Sequence, residues 1–247
     1  MSPASGTSAR PRFSIIIPVL DEQDYVRRCL DGLASQGFEQ SREIIVVDGD
    51  PDGGTVSLIQ DSGATCLTGE PGRGRQMNAG AAVASGDILI FLHADTRLPP
   101  AALEKIDRVM ATGGYAGGAF DLGIDSDRWI LRYVAMRASM RSHQNRIPYG
   151  DQAIFIDRAY FAQLGGFNDM PIMEDVDLMR RIKKDRRRIH IFRDRVLTSP
   201  RRWEAEGPIL TTLRNQFVMG LYYLGVSPKT LVRYYKPQRD LMRKRQE

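Results

Sequence analysis

Residues 13–22 read Phe-Ser-Ile-Ile-Ile-Pro-Val-Leu-Asp-Glu, and this stretch decides the fold. A strand with one face in water alternates apolar and polar side chains. Phe13 to Val19 is instead apolar at almost every position, as a strand covered on both faces must be. Two runs of the same kind follow, Glu43 to Val47 and Asp87 to Leu92, and helical patterns separate them. After Asp24, a candidate N-cap, Val26, Leu30 and Leu33 fall at i, i+4 and i+7 and give one apolar stripe. Further helices are expected from about Gly54 to Asp61, from about Arg75 to Ala84, and around Leu103, Ile106 and Met110 behind Pro99 and Pro100. Strands alternating with helices of this length imply right-handed βαβ units, hence an α/β protein with a doubly wound sheet.

Beyond Gly113 and Gly114 the rhythm changes. Tyr115 to Leu122, Gln152 to Asp157 and Ile189 to Phe192 read as strands, and Trp129 to Arg141 and Asp175 to Lys184 as helices, a second and mixed half of the sheet. Pro208 to Tyr235 reads as helix interrupted at Gly225 and Pro228. The expected organisation is a single domain: a flexible polar leader over 1–12, halves over 113 and its flanks (13–112 and 113–205), and basic C-terminal helices over 206–247.

The 247 residues include 35 Lys and Arg against 30 Asp and Glu, a formal charge of +5. A chain of this size buries roughly 70 to 75% of its unfolded surface, so it needs no disulfide or structural metal. Its two cysteines, Cys29 and Cys66, form no framework and read as small buried thiols, which suits a reducing compartment. The longest apolar stretch, Phe217 to Val226, falls short of the roughly 18 to 20 residues that cross a bilayer, and the leader has no apolar h-region. Neither a spanning helix nor secretion is expected; the expected location is cytoplasmic, with a peripheral position at the inner face of the membrane open.

Charge is unevenly placed. Arg180 to Arg202 holds 11 basic and 2 acidic residues, and Lys229 to Glu247 holds 7 and 2, so an acidic body carries a basic C-terminal third. Such a surface attracts anions: phosphates, acidic lipid or nucleic acid. Nucleic acid is set aside, because the basic residues are not interleaved with aromatics in any recognisable module. Phe217, Leu221, Tyr222 and Leu224 would suit a membrane surface, although ordinary packing is the preferred reading.

In open parallel sheets ligands sit beyond the carboxyl ends of the strands. Here those ends are acidic: Asp21 and Glu22, then Asp48, Asp50 and Asp52, then His93 and Asp95. The Asp48-Asp50-Asp52-Gly53 run fails as an EF-hand, because the twelfth position is Ile59 instead of Glu. Gly72-Arg73-Gly74 fails as a dinucleotide fingerprint, since Met77 stands at its last glycine, and no P-loop is present. A lone carboxylate such as Asp95 suffices for Mg2+ or Mn2+ when substrate phosphates complete the shell, and His93 suits Mn2+ better than Mg2+. Glu174 and Asp175, in the first turn of a helix, could serve capping and dipole compensation alone.

Taken together, these segments resemble glycosyltransferase family 2, the inverting GT-A transferases that use nucleotide sugars. Ser14 to Pro18 with Asp21-Glu22 is similar to the family's opening strand and turn, and Ile44 to Gly49 to its second strand. Arg75 to Gly80 and Gly86-Asp87 are similar to its donor-side helix. His93-Ala94-Asp95 stands at the DxD position, Gly165-Gly166-Phe167 with Glu174-Asp175 matches the stretch holding the base, and Arg202-Trp203 resembles the end of its QxxRW element. The resemblance spans roughly Phe13 to Trp203, with two departures: His93 replaces the first Asp of DxD, and Ser199 replaces Gln or Arg. "FLHADT", "YGDQ" and "SPRRW" further resemble a small bacterial branch without transmembrane helices.

The resemblance implies a GT-A Rossmann-like fold with a donor half over 13–112 and an acceptor and catalytic-base half over 113–205. It implies transfer of a sugar from a nucleotide-diphosphate sugar to an acceptor hydroxyl with inversion, assisted by Mg2+ or Mn2+. Asp175 would be the base. Pro18, Leu20, Glu22, Asp48, Asp50, Arg75, Asn78, His93 and Asp95 would bind the donor, with Asp48 on the base or ribose and Arg75 on the leaving diphosphate. Asp151, Gln152, Glu174, Arg202 and Trp203 would meet the acceptor, Asp151 being equally readable as the cap of a turn. Asp95 would hold the cation, and His93 is a borderline second ligand. The rivals are an inactive nucleotide-sugar or anionic-lipid binder and a sugar-phosphate nucleotidyltransferase; the latter should carry a Gly-rich loop where this chain has Pro18-Val19-Leu20-Asp21.

Overall fold

The opening apolar run becomes strand β1, Phe13–Val19, whose residues divide between two cores: Phe13, Ile15, Ile17 and Val19 enter one, Ile16 the other. Burial on both faces is why the run lacks polar alternation. The computed structural model describes residues 11–36 and 42–234, so most of the expected leader and the basic stretch 235–247 lie outside the described residues. After β1 come α1 (Gln23–Ala34), β2 (Arg42–Asp48), a 3₁₀ run (Val56–Ser62), β3 (Thr65–Thr68), α2 (Arg73–Val83), β4 (Ile88–Phe91), β5 (Thr96–Arg97) and α3 (Ala102–Ala111). The second half supplies β6 (Gly117–Ile124), α4 (Trp129–Asn145), a 3₁₀ turn (Gly150–Gln152), β7 (Ile154–Asp157), α5 (Arg158–Gln163), α6 (Glu174–Lys184) and β8 (Ile189–Thr198). Helices α7 (Arg201–Glu206), α8 (Pro208–Tyr223) and α9 (Pro228–Leu231) follow.

One mixed sheet of 8 strands, in the order β3-β2-β1-β4-β7-β6-β8-β5, runs through both halves. β3, β2, β1 and β4 are parallel, β7 is antiparallel to both neighbours, and β6 pairs parallel with β8. Helices α1, α3 and α4 cover one face through Val26, Leu30, Leu33, Leu103, Ile106 and Leu131. Helices α2, α5, α6 and α8 cover the other through Met77, Phe161, Val176, Met179 and Val218. Each such side chain contributes about 1.5 to 3 kcal/mol by leaving water. The doubly wound, GT-A-like mixed α/β sheet expected from the sequence is the observed fold.

Three local differences have physical causes. The helix expected over Gly54 to Asp61 is a 3₁₀ run, because the amides of Thr55 and Val56 donate to the Asp48 carboxylate and the chain is non-helical at Ile59. β8 runs on to Thr198, since a register shift between Phe120 and Asp121 of β6 lets pairing continue past the charged residues after Phe192. Asp24 lies inside the first turn of α1, and Glu22 holds the cap position. Both cysteines are free: Cys29 is buried, and Cys66 is only partly so. In α8 the preferred packing reading fits Tyr222, which is buried, but not Phe217 and Leu224, which are 56% and 82% exposed.

Candidate active site

Strands β2, β1 and β4 are neighbours, and their carboxyl ends form one edge. The connection through α1 packs on one face of the sheet and α2, leading to β4, on the other, so the order reverses at β1 and opens a crevice there. Gln76 fixes that edge. Its buried amide nitrogen donates to the carbonyls of Val19 at 2.7 Å and Val47 at 2.8 Å, tying the ends of β1 and β2 together. Gly49 leaves room for it, since an added Cβ would lie 3.1 Å from the Gln76 carboxamide. The sequence signal for Gln76 is a polar side chain on the buried stripe of α2, beside Met77 and Gly80.

On the β4 side, Asp95 and Glu22 share Arg201. Nε of Arg201 donates to Asp95 Oδ2 at 3.1 Å, and an Nη that lies 3.0 Å from the same oxygen donates to Glu22 Oε1 at 2.6 Å. The guanidinium lies 4.1 Å from the centre of the Tyr25 ring. Arg201 is 8% exposed, so a buried cation offsets two mostly buried carboxylates. Burial still pushes the Glu22 carboxyl above its ordinary value, with Arg201 opposing. Sequence reading chose the next residue, Arg202, for this region; Arg201 is the one that reaches Asp95.

A second arginine corrects another expectation. Arg75, proposed to face the leaving diphosphate, is on the surface, where Nε and Nη2 both donate at 2.8 Å to Asp169 and Nη1 donates at 2.8 Å to Glu70. Arg73, two residues earlier at the start of α2 and about as exposed, is the one beside the site's acids: its Nη1 is 3.5 Å from Glu174 Oε1, and its charge acts on Glu22, His93, Asp151 and Glu174.

The remaining chemistry converges on Gly150. A Cβ built there would lie 3.2 Å from His93 Nε2 and 3.3 Å from Asp175 Oδ2, so those two atoms flank one point of backbone. The Gly150 amide donates to Asp175 Oδ2 at 2.6 Å and the Val176 amide to Asp175 Oδ1 at 2.7 Å, which fixes the carboxylate. Met173, at φ 69°, makes the left-handed turn that starts α6 at this point. His93 Nε2 is buried with no hydrogen-bond partner, and burial, reinforced by Arg73, pushes the imidazole pKa down, so the ring is neutral. Asp151 Oδ1 is also buried and unpartnered; burial raises its carboxyl to about 6, against the pull of Arg141. Glu174 is 3% exposed and its pKa is raised by burial, opposed by Arg73 and assisted by Asp175.

Other expected site residues serve the scaffold. Asp48 has no exposed surface, and its carboxylate accepts from the amides of Asp50, Thr55 and Val56 at 3.0, 2.8 and 3.1 Å, so it builds the loop after β2. Asp50 likewise accepts from the amides of Asp52 and Gly54. The Asn78 amide pairs with both backbone groups of Phe167, at 2.8 and 2.9 Å, and so ties α2 to the loop before α6. Gln152 is fully buried, donating to the Phe120 carbonyl and accepting from Tyr149 N and Ser142 Oγ, so its hydrogen bonds hold the turn before β7. Trp203 lies in the core beneath α1 and α4, although its indole nitrogen is buried without a partner. Pro18 and Leu20 are partly exposed at the end of β1, and Arg202 is partly exposed on α7.

No group of three His, Cys, Asp or Glu side chains among the described residues could cage a metal. What the site offers is the unpartnered His93 Nε2 and Asp95, whose Oδ1 makes only long contacts, 3.4 and 3.5 Å, to the hydroxyls of Thr96 and Thr198. That set fits a hard cation that takes one or two protein ligands and completes its shell with phosphate oxygens.

Comparison with known proteins bears on the family and the fold. An uncharacterized glycosyltransferase of Mycobacterium tuberculosis is 28% identical over 187 residues, covering 71% of this chain and 70% of that protein. An uncharacterized protein of the same species is 29% identical over 153 residues, and there the match spans only 47% of the relative's length. Among solved structures, the mannosyltransferase PcManGT of Pyrobaculum calidifontis, in complex with GDP-Man and Mn2+, superposes with a TM-score of 0.63 at 20% identity, over 95% of this chain and 70% of that one. Residues 1–349 of Staphylococcus aureus TarS, in complex with UDP, give 0.58 at 16% identity, over 77% and 61%. The profile described as Glycosyl transferase family 2 matches residues 14–164, well over half of the chain, and this chain belongs to that family.

Proposed function

We propose that the chain transfers a sugar from a nucleoside-diphosphate sugar to an acceptor hydroxyl with inversion at the anomeric carbon. The observation that carries the reading is the meeting of Asp175 Oδ2 and His93 Nε2 at Gly150, across a crevice that also receives the charge of Arg73. Asp175, its two oxygens oriented by backbone amides, takes the proton of the acceptor hydroxyl as that oxygen attacks the sugar. A single displacement from the face opposite the leaving group inverts the configuration. Asp151, unpartnered at Oδ1, accepts a hydrogen bond from the acceptor and helps orient it. Arg73 draws the diphosphate, and its positive charge lowers the cost of the charge that develops on departure.

Asp95 and His93 would hold Mg2+ or Mn2+, which supplies further neutralisation of the diphosphate. Support comes from solved relatives, one bound to GDP-Man with Mn2+ and one to UDP. In this reading residues 13–112 serve the donor and 113–205 the acceptor and base, and the protein works in the cytoplasm, in peripheral contact with the inner face of the membrane. A thermal-shift panel of nucleotide sugars, with and without Mn2+, tests the donor half of the proposal. One donor at 100 times its dissociation constant should stabilise by about 2.7 kcal/mol, more with Mn2+ than without. A flat panel would remove the nucleotide-sugar assignment.

A further inference from the structure

Helices α4 and α8 are neighbours, and each is apolar on two opposite sides. On α4, Leu131, Ala135 and Ser139 are buried against the sheet, while Trp129, Tyr133, Met136 and Met140 are 72%, 52%, 43% and 43% exposed. Their spacing of i, i+4, i+7 and i+11 places all four on one line, away from the core. On α8, Thr211, Val218 and Tyr222 are buried, while Ile209, Leu213 and Phe217 are more than half exposed, and Leu224 just beyond is more so. An isolated exposed apolar side chain needs no explanation; a row of four along one helix, with a second row on a helix that touches it, does.

The charge around these rows says what covers them. No Asp or Glu occurs from Arg128 to Asn145, or from Gly207 to Arg239. Arg128, Arg132 and Arg137 are exposed along α4, and Lys229 and Arg233 beyond α8. Tyr234 packs on Phe217, with ring centres 6.0 Å apart, and the sequence from Lys229 to Glu247 holds 7 Lys and Arg against 2 Asp and Glu. Apolar side chains fringed by arginine and lysine, with acids excluded, match the acyl boundary and headgroups of an anionic bilayer. A second copy of the same face would set these basic residues against each other.

We infer that the α4 and α8 face docks on an anionic lipid surface. Both helices adjoin the acceptor side of the site: α4 leads towards Gly150 and Asp151, with Arg141 over the Tyr149 ring at 3.4 Å, and α8 follows the helix that carries Arg201. Docking therefore sets the acceptor side close to the membrane. The inference uses neither donor nor acceptor binding, so it stands or falls apart from the transfer reading.

Flotation of the full chain with phosphatidylcholine vesicles, alone or with about 30% phosphatidylglycerol, tests it. The chain should float with the anionic vesicles and bind them roughly tenfold better than the neutral ones, less so as salt is raised. The pairs Leu213→Ser with Phe217→Ser and Trp129→Ser with Tyr133→Ser should each cut binding roughly tenfold or more without lowering the melting temperature, because these side chains are already in water. Failure to float with either vesicle would overturn the inference, as would binding that both pairs leave unchanged. A dimer in solution that Phe217→Ser dissociates, with no vesicle binding, would assign the face to a second copy instead.

Discussion

Replacing Arg201 with Met removes the cation that lies between Asp95 and Glu22 while keeping the length and much of the apolar volume of the side chain. Arg201 is 10% exposed in its side chain, Asp95 12% and Glu22 18%, so neither acid can turn to water for compensation. Breaking such a buried pair costs about 3 to 5 kcal/mol. For a domain of this size that is roughly 6 to 20 °C in melting temperature. The sign with pH follows from protonation. Without Arg201 nothing opposes the burial that already pushes the Glu22 carboxyl up, so the deficit is full near pH 7.5 and shrinks as pH falls and Glu22 takes up a proton. Thermal melts at pH 7.5 and 5 should therefore show a large gap between variant and parent at the higher pH and a smaller one at the lower. Mn2+ should stabilise the variant more than the parent, because the cation then meets two uncompensated acids. A loss below about 1 kcal/mol, the scale of a surface pair, or a loss independent of pH, would refute the burial and pairing on which the reasoning rests.

Three further outcomes are expected. Gly150→Ala should leave the melting temperature within a few degrees of the parent while lowering kcat roughly 10- to 100-fold, because the new methyl presses on Asp175 and His93 and disturbs a charge-assisted hydrogen bond; unchanged turnover would detach that contact from catalysis. Arg73→Gln should raise the KM for the donor at least tenfold and Arg75→Gln should leave it near the parent value; steady-state kinetics showing the reverse would restore Arg75 to the site. Asp151 keeps its proton in the folded state to about pH 6 against an ordinary 3.8, so it costs stability as pH rises through that window. The stability of Asp151→Asn relative to the parent, followed by thermal melts, should accordingly climb from pH 4 to 6 by at most about 3 kcal/mol and then level off, and a flat difference would mean the carboxyl is solvated.

Much of the framework was legible because it is set by patterns that few arrangements satisfy. The unbroken apolar run of β1 demands cover on both faces, and strands and helices alternating at that spacing demand crossover connections. The convergence of Asp95, His93 and Asp175 follows, since strand ends of one sheet and a helix start packed beside them have little freedom to separate. What the sequence left open was helix phase and the double use of polar side chains. Arg73 and Arg75 stand about 200° apart on α2, and only packing decides which lies beside the site's acids. Arg201 and Arg202 pose the same ambiguity on α7. Asp48, Asn78 and Gln152 have the chemistry of ligand-binding residues, yet in the fold their hydrogen bonds go to backbone amides and carbonyls. A sequence motif marks such residues as necessary without saying whether a substrate or the loop around it needs them. Glycine spacing gave no hint of the role of Gly150, whose missing side chain is what lets His93 and Asp175 approach.

The central claim is that Asp175 is the base for sugar transfer in a crevice whose donor binding does not depend on it. The most direct measurement is release of nucleoside diphosphate from a bound nucleotide sugar, followed by phosphorus NMR for the parent and Asp175→Asn, alongside donor affinity by calorimetry. The account predicts that the variant binds the donor within a few-fold of the parent and loses turnover by at least about a thousandfold. Equal turnover in the two proteins would contradict it.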